Sequence, residues 1–219
     1  MITYAKLKHL KDSEFQRFHY EIMKYHEKVG YFYDWSRQWE YPWILRNLPL
    51  KETDTVLDVG GGTCHFPAIL AKRVKKIHVG DLYSERMFKP VPENVEFLKM
   101  DASNYKSVNK YDVVLCISVL EHIENYVDAI NNIKDLVKPD GYLAMTLDLF
   151  LDNTRNCKKA DIQKILEILN EFEIGEIDLG EDDLYSKKNL QSIKADLPNL
   201  YSRNYKDRTS LGVIIRKKK

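Results

Sequence analysis

The spacing of hydrophobic residues in the first fifty positions predicts two helices. Gly30 is placed to end the first helix, because glycine adopts the left-handed conformation of a helix C-cap without strain. Segment 31–49 holds all three tryptophans and predicts a short second helix around Trp43, with Pro42 tolerated in its first turn. The residues predicted to form the buried face of the first helix recur every three or four positions: Phe15, Phe18, Ile22, His26 and Val29.

From residue 54 onward, short apolar runs alternate with helical patterns. Such alternation is typical of βαβ units, which form a parallel sheet with helices on both faces. We therefore expect an α/β fold with a seven-stranded, mostly parallel sheet. Helices are predicted after the first strand to about residue 74, near 84–88, from 127 to the KPDG sequence at 138–141, and over 162–172. The predicted strands are 55–59, 76–80, 95–100, 111–118 and 141–149, with two closing strands within 173–180 and 210–217.

Composition and charge narrow the function classes. The 219 residues suit one domain, in which we expect 1–53 to form a helical, aromatic cap and 54–219 to form the core. The net charge of +1 gives no strong field for nucleic acid or an anionic membrane, so neither partner is expected. Three cysteines without a C-x-x-C pair favour a reducing compartment, and no signal peptide or membrane segment is visible. The expected location is the cytoplasm.

Three consecutive glycines, Gly60 to Gly62, separate the strand at 55–59 from the next predicted helix. Glycine at this position permits a tight turn and the close approach of a ligand to the backbone. A nicotinamide dinucleotide is one candidate, but its G-x-G-x-x-G fingerprint requires a third glycine where this chain has His65. The acidic residue Asp81 suits any cofactor that carries a ribose diol. The pattern therefore favours a different adenosine-containing cofactor.

Four segments, VLDVGGGT, VGDLYSERM, VEFLKMDASN and YDVVLCISVLEHIEN, occur in this order between residues 54 and 149. Together they resemble the class I S-adenosylmethionine-dependent methyltransferases, and most closely the small members with a Leu-Glu-His sequence after the fourth strand. The resemblance implies a three-layer, Rossmann-like fold with S-adenosylmethionine as cofactor. Cys64 departs from the pattern, because many members carry a further glycine there.

The resemblance also implies roles on the methionine side of the cofactor. Asp58 would face the methionine ammonium while the backbone of Gly60, Gly61 and Gly62 passes the methionine moiety. Ser118 and Val119, after the fourth strand, would lie under the same part of the cofactor.

On the nucleoside side, the resemblance assigns Asp81 to the two ribose hydroxyls. Leu82 and Met87 would line the adenine slot, and Asp101 would accept a hydrogen bond from the adenine amino group beside Ala102. Carboxylates at three successive strand ends, those of Asp58, Asp81 and Asp101, suit a ligand with cationic and donor groups.

Methyl transfer to a hydroxyl or ammonium needs a base, and His122 is the leading candidate because an imidazole titrates near neutral pH. Glu121 is the alternative base, and His122 could instead only line the cofactor. The acceptor is expected to be a small molecule with an oxygen, nitrogen or carbon nucleophile. An aromatic cap would cover it, formed by Tyr31, Tyr33, Trp35 and Arg37.

Three further expectations concern metal binding, oligomeric state and alternative functions. Asp152 and Asn153 resemble part of the metal site of catechol-type methyltransferases, but that site also needs a carboxylate after the fourth strand, where the chain offers only Glu121, so no catalytic metal is expected. The chain is expected to be a monomer or homodimer. The functional alternatives are a nicotinamide-dependent oxidoreductase and a non-catalytic regulator that binds the cofactor.

Overall fold

A computed structural model describes residues 1–31, 34–83, 88–150, 161–186, 189 and 208–219. In this part of the chain, one sheet of nine strands runs in the order β4-β3-β2-β5-β6-β9-β1-β8, with β7 paired to β9. The strands are β1 (Ile2–Tyr4), β2 (Thr55–Val59), β3 (Lys76–Asp81), β4 (Val95–Lys99), β5 (Tyr111–Ile117), β6 (Val137–Phe150), β7 (Phe172–Glu173), β8 (Ile177–Asp178) and β9 (Arg208–Lys217).

The predicted α/β architecture is confirmed. Strands β2 to β6 pair in parallel with their neighbours, and β9 closes the sheet antiparallel to β6. The expected strand number of seven is wrong, because β1 and β7 were not predicted. At three and two residues, these strands are too short to show a hydrophobic alternation. Strand β1 comes from the segment that was expected to be helical, and it lies between the two predicted closing strands β9 and β8.

Five α-helices flank the sheet in the described ranges: α1 (Ser13–Val29), α2 (Arg37–Asn47), α3 (Phe66–Leu70), α4 (Tyr126–Asp135) and α5 (Asp161–Ile168). The predicted first helix is confirmed at both ends. Asp12 accepts a hydrogen bond from the Phe15 amide at 2.8 Å, and Gly30 has a φ of 66° at the C-cap. The helix expected near 84–88 falls largely outside the described residues.

Three predicted helix boundaries are wrong. Helix α3 ends at Leu70 rather than near residue 74. The chain turns after Leu70, and the Lys75 amide then donates to the Asp54 carbonyl at 3.0 Å instead of to a helical carbonyl. Helix α4 ends at Asp135, and Val137 instead begins β6 by pairing with Tyr111. Helix α5 ends at Ile168, although Leu169 and Phe172 continue its buried stripe.

Pro42 lies in the middle of α2 and not in its first turn. Proline has no amide hydrogen, so the carbonyl of Gln38, four residues earlier, loses its helical donor. The Nδ1 atom of His19 on α1 lies 3.3 Å from that carbonyl oxygen. The neighbouring helix thus supplies a polar contact where α2 cannot.

The core has one layer on each face of the sheet. Helices α1, α2 and α3 contribute apolar residues to one layer, and α4 and α5 contribute to the other. All three tryptophans are buried, and α2 packs so closely that a Cβ at Gly212 of β9 would lie 2.7 Å from the Trp43 ring. None of the described helices combines the length and apolar composition that crossing a membrane requires. The proposed boundary at residue 53 stays a prediction.

Candidate functional site

A cavity of about 440 Å³ opens at the carboxyl ends of β2, β3, β4 and β5. This is the edge of a parallel sheet at which open α/β folds bind their ligands. The cavity brings together residues that the sequence predicted for the site: Gly60, Asp81, Leu82, Asp101, Ala102, Ser118, Val119 and His122. Their individual roles stay predictions. Met87 lies outside the described residues.

The turn after β2 depends on glycine. Gly60 and Gly62 have φ values of 72° and 46°, which side chains other than glycine rarely adopt. A Cβ at Gly60 would overlap the Val119 side chain, with Cγ1 only 2.9 Å away. The Gly60 amide donates to the Gly80 carbonyl at 2.7 Å, which ties this turn to the end of β3. Bare backbone therefore forms this wall of the cavity.

Asp58 lies behind this turn and does not line the cavity, and Gly61 and Gly62 do not line it either. A Cβ at Gly61 would lie 2.5 Å from Oδ2 of Asp58, so the carboxylate packs directly beneath the backbone. Burial raises the pKa of Asp58 to about 7; nearby Arg37 lowers it and Asp81 raises it further. An approaching ammonium group would stabilise the ionised form of this carboxyl.

Asp81 and Asp101 supply the cavity with carboxylate oxygens. In each case Oδ1 accepts the amide of the residue two positions later, from Tyr83 and Ser103, both at 2.9 Å. These Asx turns fix the direction of each side chain. Because a carboxylate offers two oxygens and about four acceptor positions, capacity for a ligand remains at both residues.

Ser118, at the end of β5, has an unusual backbone conformation for a residue with a side chain, with a φ of 49°. Its amide donates to the Thr146 carbonyl at 3.0 Å, and its hydroxyl donates to Oε1 of Glu40 at 2.6 Å. Glu40 is completely buried on α2, and its other oxygen pairs with Arg37. Helix α2 thus holds one wall of the cavity in place.

Glu40 was not predicted from the sequence, and the cap role of Tyr31, Tyr33, Trp35 and Arg37 stays a prediction. Arg37 forms an ion pair with the buried carboxylate of Glu40, and its own side chain is 22% exposed. Trp35 is buried and stacks on Tyr185 with ring centroids 5.7 Å apart. Tyr33 lies outside the described residues. The sequence QWEYPWIL could have indicated a buried Glu40, because this glutamate is the only charged residue among aromatic and apolar ones.

The two base candidates occupy different environments. His122 is exposed and lines the cavity, whereas Glu121 is buried. Oε1 of Glu121 accepts the Asp148 amide at 3.2 Å. Burial, with repulsion from Asp148 and Glu40, raises the pKa of Glu121 to about 8, so it holds its proton at neutral pH. This argues against Glu121 as the base of the free protein.

Asp148 lies beside Glu121 on β6. Its Oδ2 pairs with Arg208, and its Oδ1 accepts from the Ser210 hydroxyl at 3.3 Å. Burial raises the pKa of Asp148 to about 6, while Arg208 acts in the opposite direction. Among the described residues, no group of three or more His, Cys, Asp or Glu side chains is arranged to hold a metal ion. Asp152 and Asn153 lie outside these residues, so the expectation of no catalytic metal stays a prediction.

The chain belongs to a methyltransferase family. The family model described as "Methyltransferase domain" matches residues 25–214, which is most of the sequence. The resemblance noted in the four segments is thereby confirmed at the level of the family.

Individual relatives are more distant. The chain is 28% identical over 103 residues to (S)-coclaurine N-methyltransferase of Thalictrum flavum subsp. glaucum. It is 25% identical over 97 residues to malonyl-[acyl-carrier protein] O-methyltransferase of Calditerrivibrio nitroreducens. Each alignment covers 43% of this chain, but only 28% and 38% of the respective relative.

The fold has counterparts among solved structures. An S-adenosylmethionine dependent methyltransferase from Mesorhizobium loti superposes with a TM-score of 0.60 at 13% identity. The match covers 81% of this chain and 97% of that protein. At this identity the likeness shows a shared fold only.

Proposed function

We propose that the protein is an S-adenosylmethionine-dependent methyltransferase that acts on a small molecule. One observation carries this proposal. The glycine backbone, Asp81 and Asp101 line the same cavity from three successive strand ends. Membership of the methyltransferase family supports it.

The residues present fit the cofactor chemically. The bare backbone at Gly60 leaves room where a Cβ would overlap Val119. Asp81 suits the two ribose hydroxyls, and Asp101 suits the adenine amino group, because carboxylates are strong hydrogen-bond acceptors. Ser118 lines the cavity on the side assigned to the methionine moiety, and Asp58 would act on the ammonium from behind the glycine turn. The cofactor supplies an activated methyl group on its sulfonium, so the protein need not activate the donor.

The chain then has three tasks: to orient the acceptor, to exclude water and to remove a proton where the acceptor carries one. His122 lines the cavity and is the residue we assign to proton removal. Val119 and Ile123 place apolar surface beside it. We infer a small-molecule acceptor from the near-neutral charge of the chain.

The acceptor atom is a separate question. One relative is named as an N-methyltransferase and the other as an O-methyltransferase, so their names support transfer to nitrogen or oxygen without choosing between them. Because the alignments cover a minor part of both proteins, neither substrate is transferred to this chain.

Two other functions are compatible with a nucleotide-binding fold. A nicotinamide oxidoreductase is disfavoured because His65 replaces the third fingerprint glycine and is buried against Tyr31, with ring centroids 4.6 Å apart. A non-catalytic regulator would bind the cofactor without consuming it. Turnover separates this last function from a methyltransferase.

The test combines binding and turnover. Calorimetry should show binding of S-adenosylmethionine and S-adenosylhomocysteine, and none of NAD or NADP. Native mass spectrometry of the purified protein should reveal either adenosyl ligand if it co-purifies. A metabolite screen that measures S-adenosylhomocysteine release then seeks the acceptor. Binding of a nicotinamide dinucleotide in place of S-adenosylmethionine would overturn the proposal.

A further inference from the structure

A buried acidic cluster lies next to the cavity, on the face of the sheet that α2 covers. Its members are the side chains of Glu40, Glu121 and Asp148, together with the cations Arg37 and Arg208. Helix α2 supplies Glu40 and Arg37, while β6 and β9 supply Asp148 and Arg208. Glu121 comes from the short 3-10 turn Leu120–His122, after β5.

The charges in the acidic cluster are unevenly paired. Glu40 pairs with Arg37, and Asp148 pairs with Arg208, which also lies 3.9 Å from the partly exposed carboxylate of Asp34. Glu121 forms no salt bridge among the described residues, and its side chain is 7% exposed. Only Oε1 of this carboxyl is engaged, by the Asp148 amide, whereas Oε2 is buried and makes no hydrogen bond to a described residue.

A second buried polar group beside the acidic cluster is also unsatisfied. Thr146 is completely buried, and its hydroxyl makes no hydrogen bond within the described part of the chain. Thr146 and Asp148 are two residues apart on β6, so their side chains lie on the same face of the sheet. A native protein seldom leaves a buried polar atom unpaired, so the two acceptors Oε2 of Glu121 and Oγ1 of Thr146 indicate a missing donor group. Nε of Arg208 also makes no hydrogen bond to a described residue, but it is a donor and takes no part in binding a cation.

The position of the acidic cluster connects it to methyl transfer. Ser118 lines the cavity, and its hydroxyl donates to Glu40 at 2.6 Å. The same residue bonds to the Thr146 carbonyl through its amide. Ser118 therefore lies between the proposed cofactor cavity and the acidic cluster. Neither Glu121 nor Thr146 lines that cavity, so an acceptor group that contacts them has to pass Ser118.

The chemistry of the acidic cluster favours one class of acceptor. We propose that it binds the protonated amine of the methyl acceptor, with Oε2 of Glu121 and Oγ1 of Thr146 as the contacts. This inference rests on the proposed function and refines it to an amine substrate. Because an ammonium nitrogen has no lone pair, it has to give one proton to a base before it can take the methyl group. The carboxylates of the acidic cluster and nearby Asp34 outnumber its two arginines, so a further cation is favoured there, whereas an anionic acceptor would add to the negative charge. An ammonium group has only donors, and both contact atoms are able to accept.

Binding of an ammonium group also has a consequence for protons. Burial raises the pKa of Glu121 to about 8, so this carboxyl carries its proton at pH 7 in the free protein. An ammonium beside it favours the ionised form. We therefore expect amine binding at pH 7 to release up to about one proton to the solvent.

The experiment uses the protein saturated with S-adenosylhomocysteine and three probes that share a benzyl group: benzylammonium, benzyl alcohol and phenylacetate. We expect calorimetry to show benzylammonium binding at least roughly tenfold more tightly than the other two, since hydrogen bonds to charged groups contribute about 1.5–3 kcal/mol. Titrations in buffers with different ionisation enthalpies should show the proton release.

Matched variants localise the effect. Glu121→Gln keeps an oxygen for the Asp148 amide, and it should abolish both the preference for the amine and the proton release. Thr146→Val should weaken benzylammonium binding and leave the other probes unchanged. Glu124→Gln, at an exposed position three residues away, is the control and should change nothing.

The outcomes separate the two proposals. No saturable binding of benzylammonium, equal binding of the alcohol or acid, or an unchanged preference in Glu121→Gln would overturn the amine assignment. Methylation of alcohols or acids but not of amines in the acceptor screen would do the same and leave the methyltransferase proposal intact. Failure to bind S-adenosylhomocysteine at the outset would instead contradict the methyltransferase proposal.

Discussion

At the scale of single residues, the cavity depends on carboxylates whose direction is fixed by their own turns. Asp81 uses one oxygen for the Tyr83 amide at 2.9 Å and is predicted to bind the ribose with its remaining capacity. Asp81→Ala should therefore weaken S-adenosylmethionine binding by at least roughly tenfold, because hydrogen bonds to a charged acceptor are lost. Calorimetry measures the affinity, and circular dichroism checks that the variant is folded.

Asp178→Ala is a suitable control for Asp81→Ala. Asp178 lies on β8 and pairs with Lys8, away from the cavity. The Asp178→Ala variant should therefore have the same cofactor affinity as the parent. If the folded Asp81→Ala protein binds the cofactor as tightly as the parent, the ribose role is wrong.

His122 is expected to affect turnover rather than cofactor affinity. It is exposed at the cavity and follows the strand end by several residues, so it can face the acceptor. If it removes the acceptor proton, His122→Ala should lower the rate by about 10²–10⁴-fold, the usual contribution of a general base. Steady-state kinetics across pH, with an acceptor from the screen, measures this rate and the shape of the pH profile.

A selective loss of cofactor affinity would contradict this assignment, as would an unchanged rate and pH profile. The first result would make His122 a cofactor contact. The second would make it a packing residue, and proton removal would then belong to another group or be unnecessary.

At the scale of secondary structure elements, α2 stabilises the turn after β5 through one buried side chain. Glu40 accepts from the Ser118 hydroxyl and pairs with Arg37. Glu40→Ala leaves the Arg37 guanidinium without its partner in a largely buried position, and this should lower the free energy of unfolding by about 2–4 kcal/mol. Urea denaturation gives this quantity.

The isosteric variant Glu40→Gln distinguishes the hydrogen bond from the charge. Glutamine keeps an oxygen that can accept from Ser118, but it removes the negative charge beside Arg37. We expect an intermediate loss of stability with S-adenosylmethionine affinity largely retained. Equal stabilities of the parent and both variants would show that the contact contributes little.

Local sequence patterns predicted the elements of the site better than the contacts between them. Helix α1, strand β2 and the glycine turn were predicted because their signals lie within a few adjacent residues, such as Gly30 at a C-cap. The bond between Glu40 and Ser118 joins residues 78 positions apart, and no local pattern encodes such a pairing. Strand β1 was missed for a similar reason, since its three residues form a strand through pairing with the distant strands β9 and β8.

Pro42 illustrates how tertiary packing changes a local expectation. A proline within a helix usually marks its first turn, because elsewhere it removes a hydrogen bond. Here α2 continues past Pro42 because Trp39 and Trp43 bury its face against the sheet, and His19 contacts the carbonyl that Pro42 leaves without a donor. Neither contribution is visible within the sequence of α2.

At the scale of the whole molecule, buried titratable groups make stability depend on pH in two opposite ways. Burial lowers the pKa of His9 and of His26 to about 4, so their contribution to stability increases as pH rises from about 4 to 6.5. Above pH 6.5 these histidines are neutral in both the folded and the unfolded chain. Above pH 6.5 the carboxyls that contribute most to the pH dependence of stability are Asp58 and Glu121, whose pKa values are about 7 and 8.

The sign of the second effect follows from proton binding. An unfolded glutamate releases its proton near pH 4.3, whereas folded Glu121 keeps it to about pH 8. Between these values the folded state binds more protons, so its stability falls as pH rises. The buried amino group of Met1 acts in the opposite direction, because its pKa is lowered. The effect of Glu121 is therefore isolated by comparing the parent with a variant.

We expect Glu121→Gln to gain stability relative to the parent by on the order of 1–2 kcal/mol between pH 6.5 and pH 8, because glutamine cannot ionise. Urea denaturation of both proteins at several pH values in this range, without cofactor, measures the difference. The free energy of unfolding of Glu124→Gln, a variant at an exposed position, should change with pH in the same way as that of the parent. A difference between the parent and Glu121→Gln that stays constant over this range would mean that Glu121 does not hold its proton, and Glu121 would then already be ionised before any amine arrives.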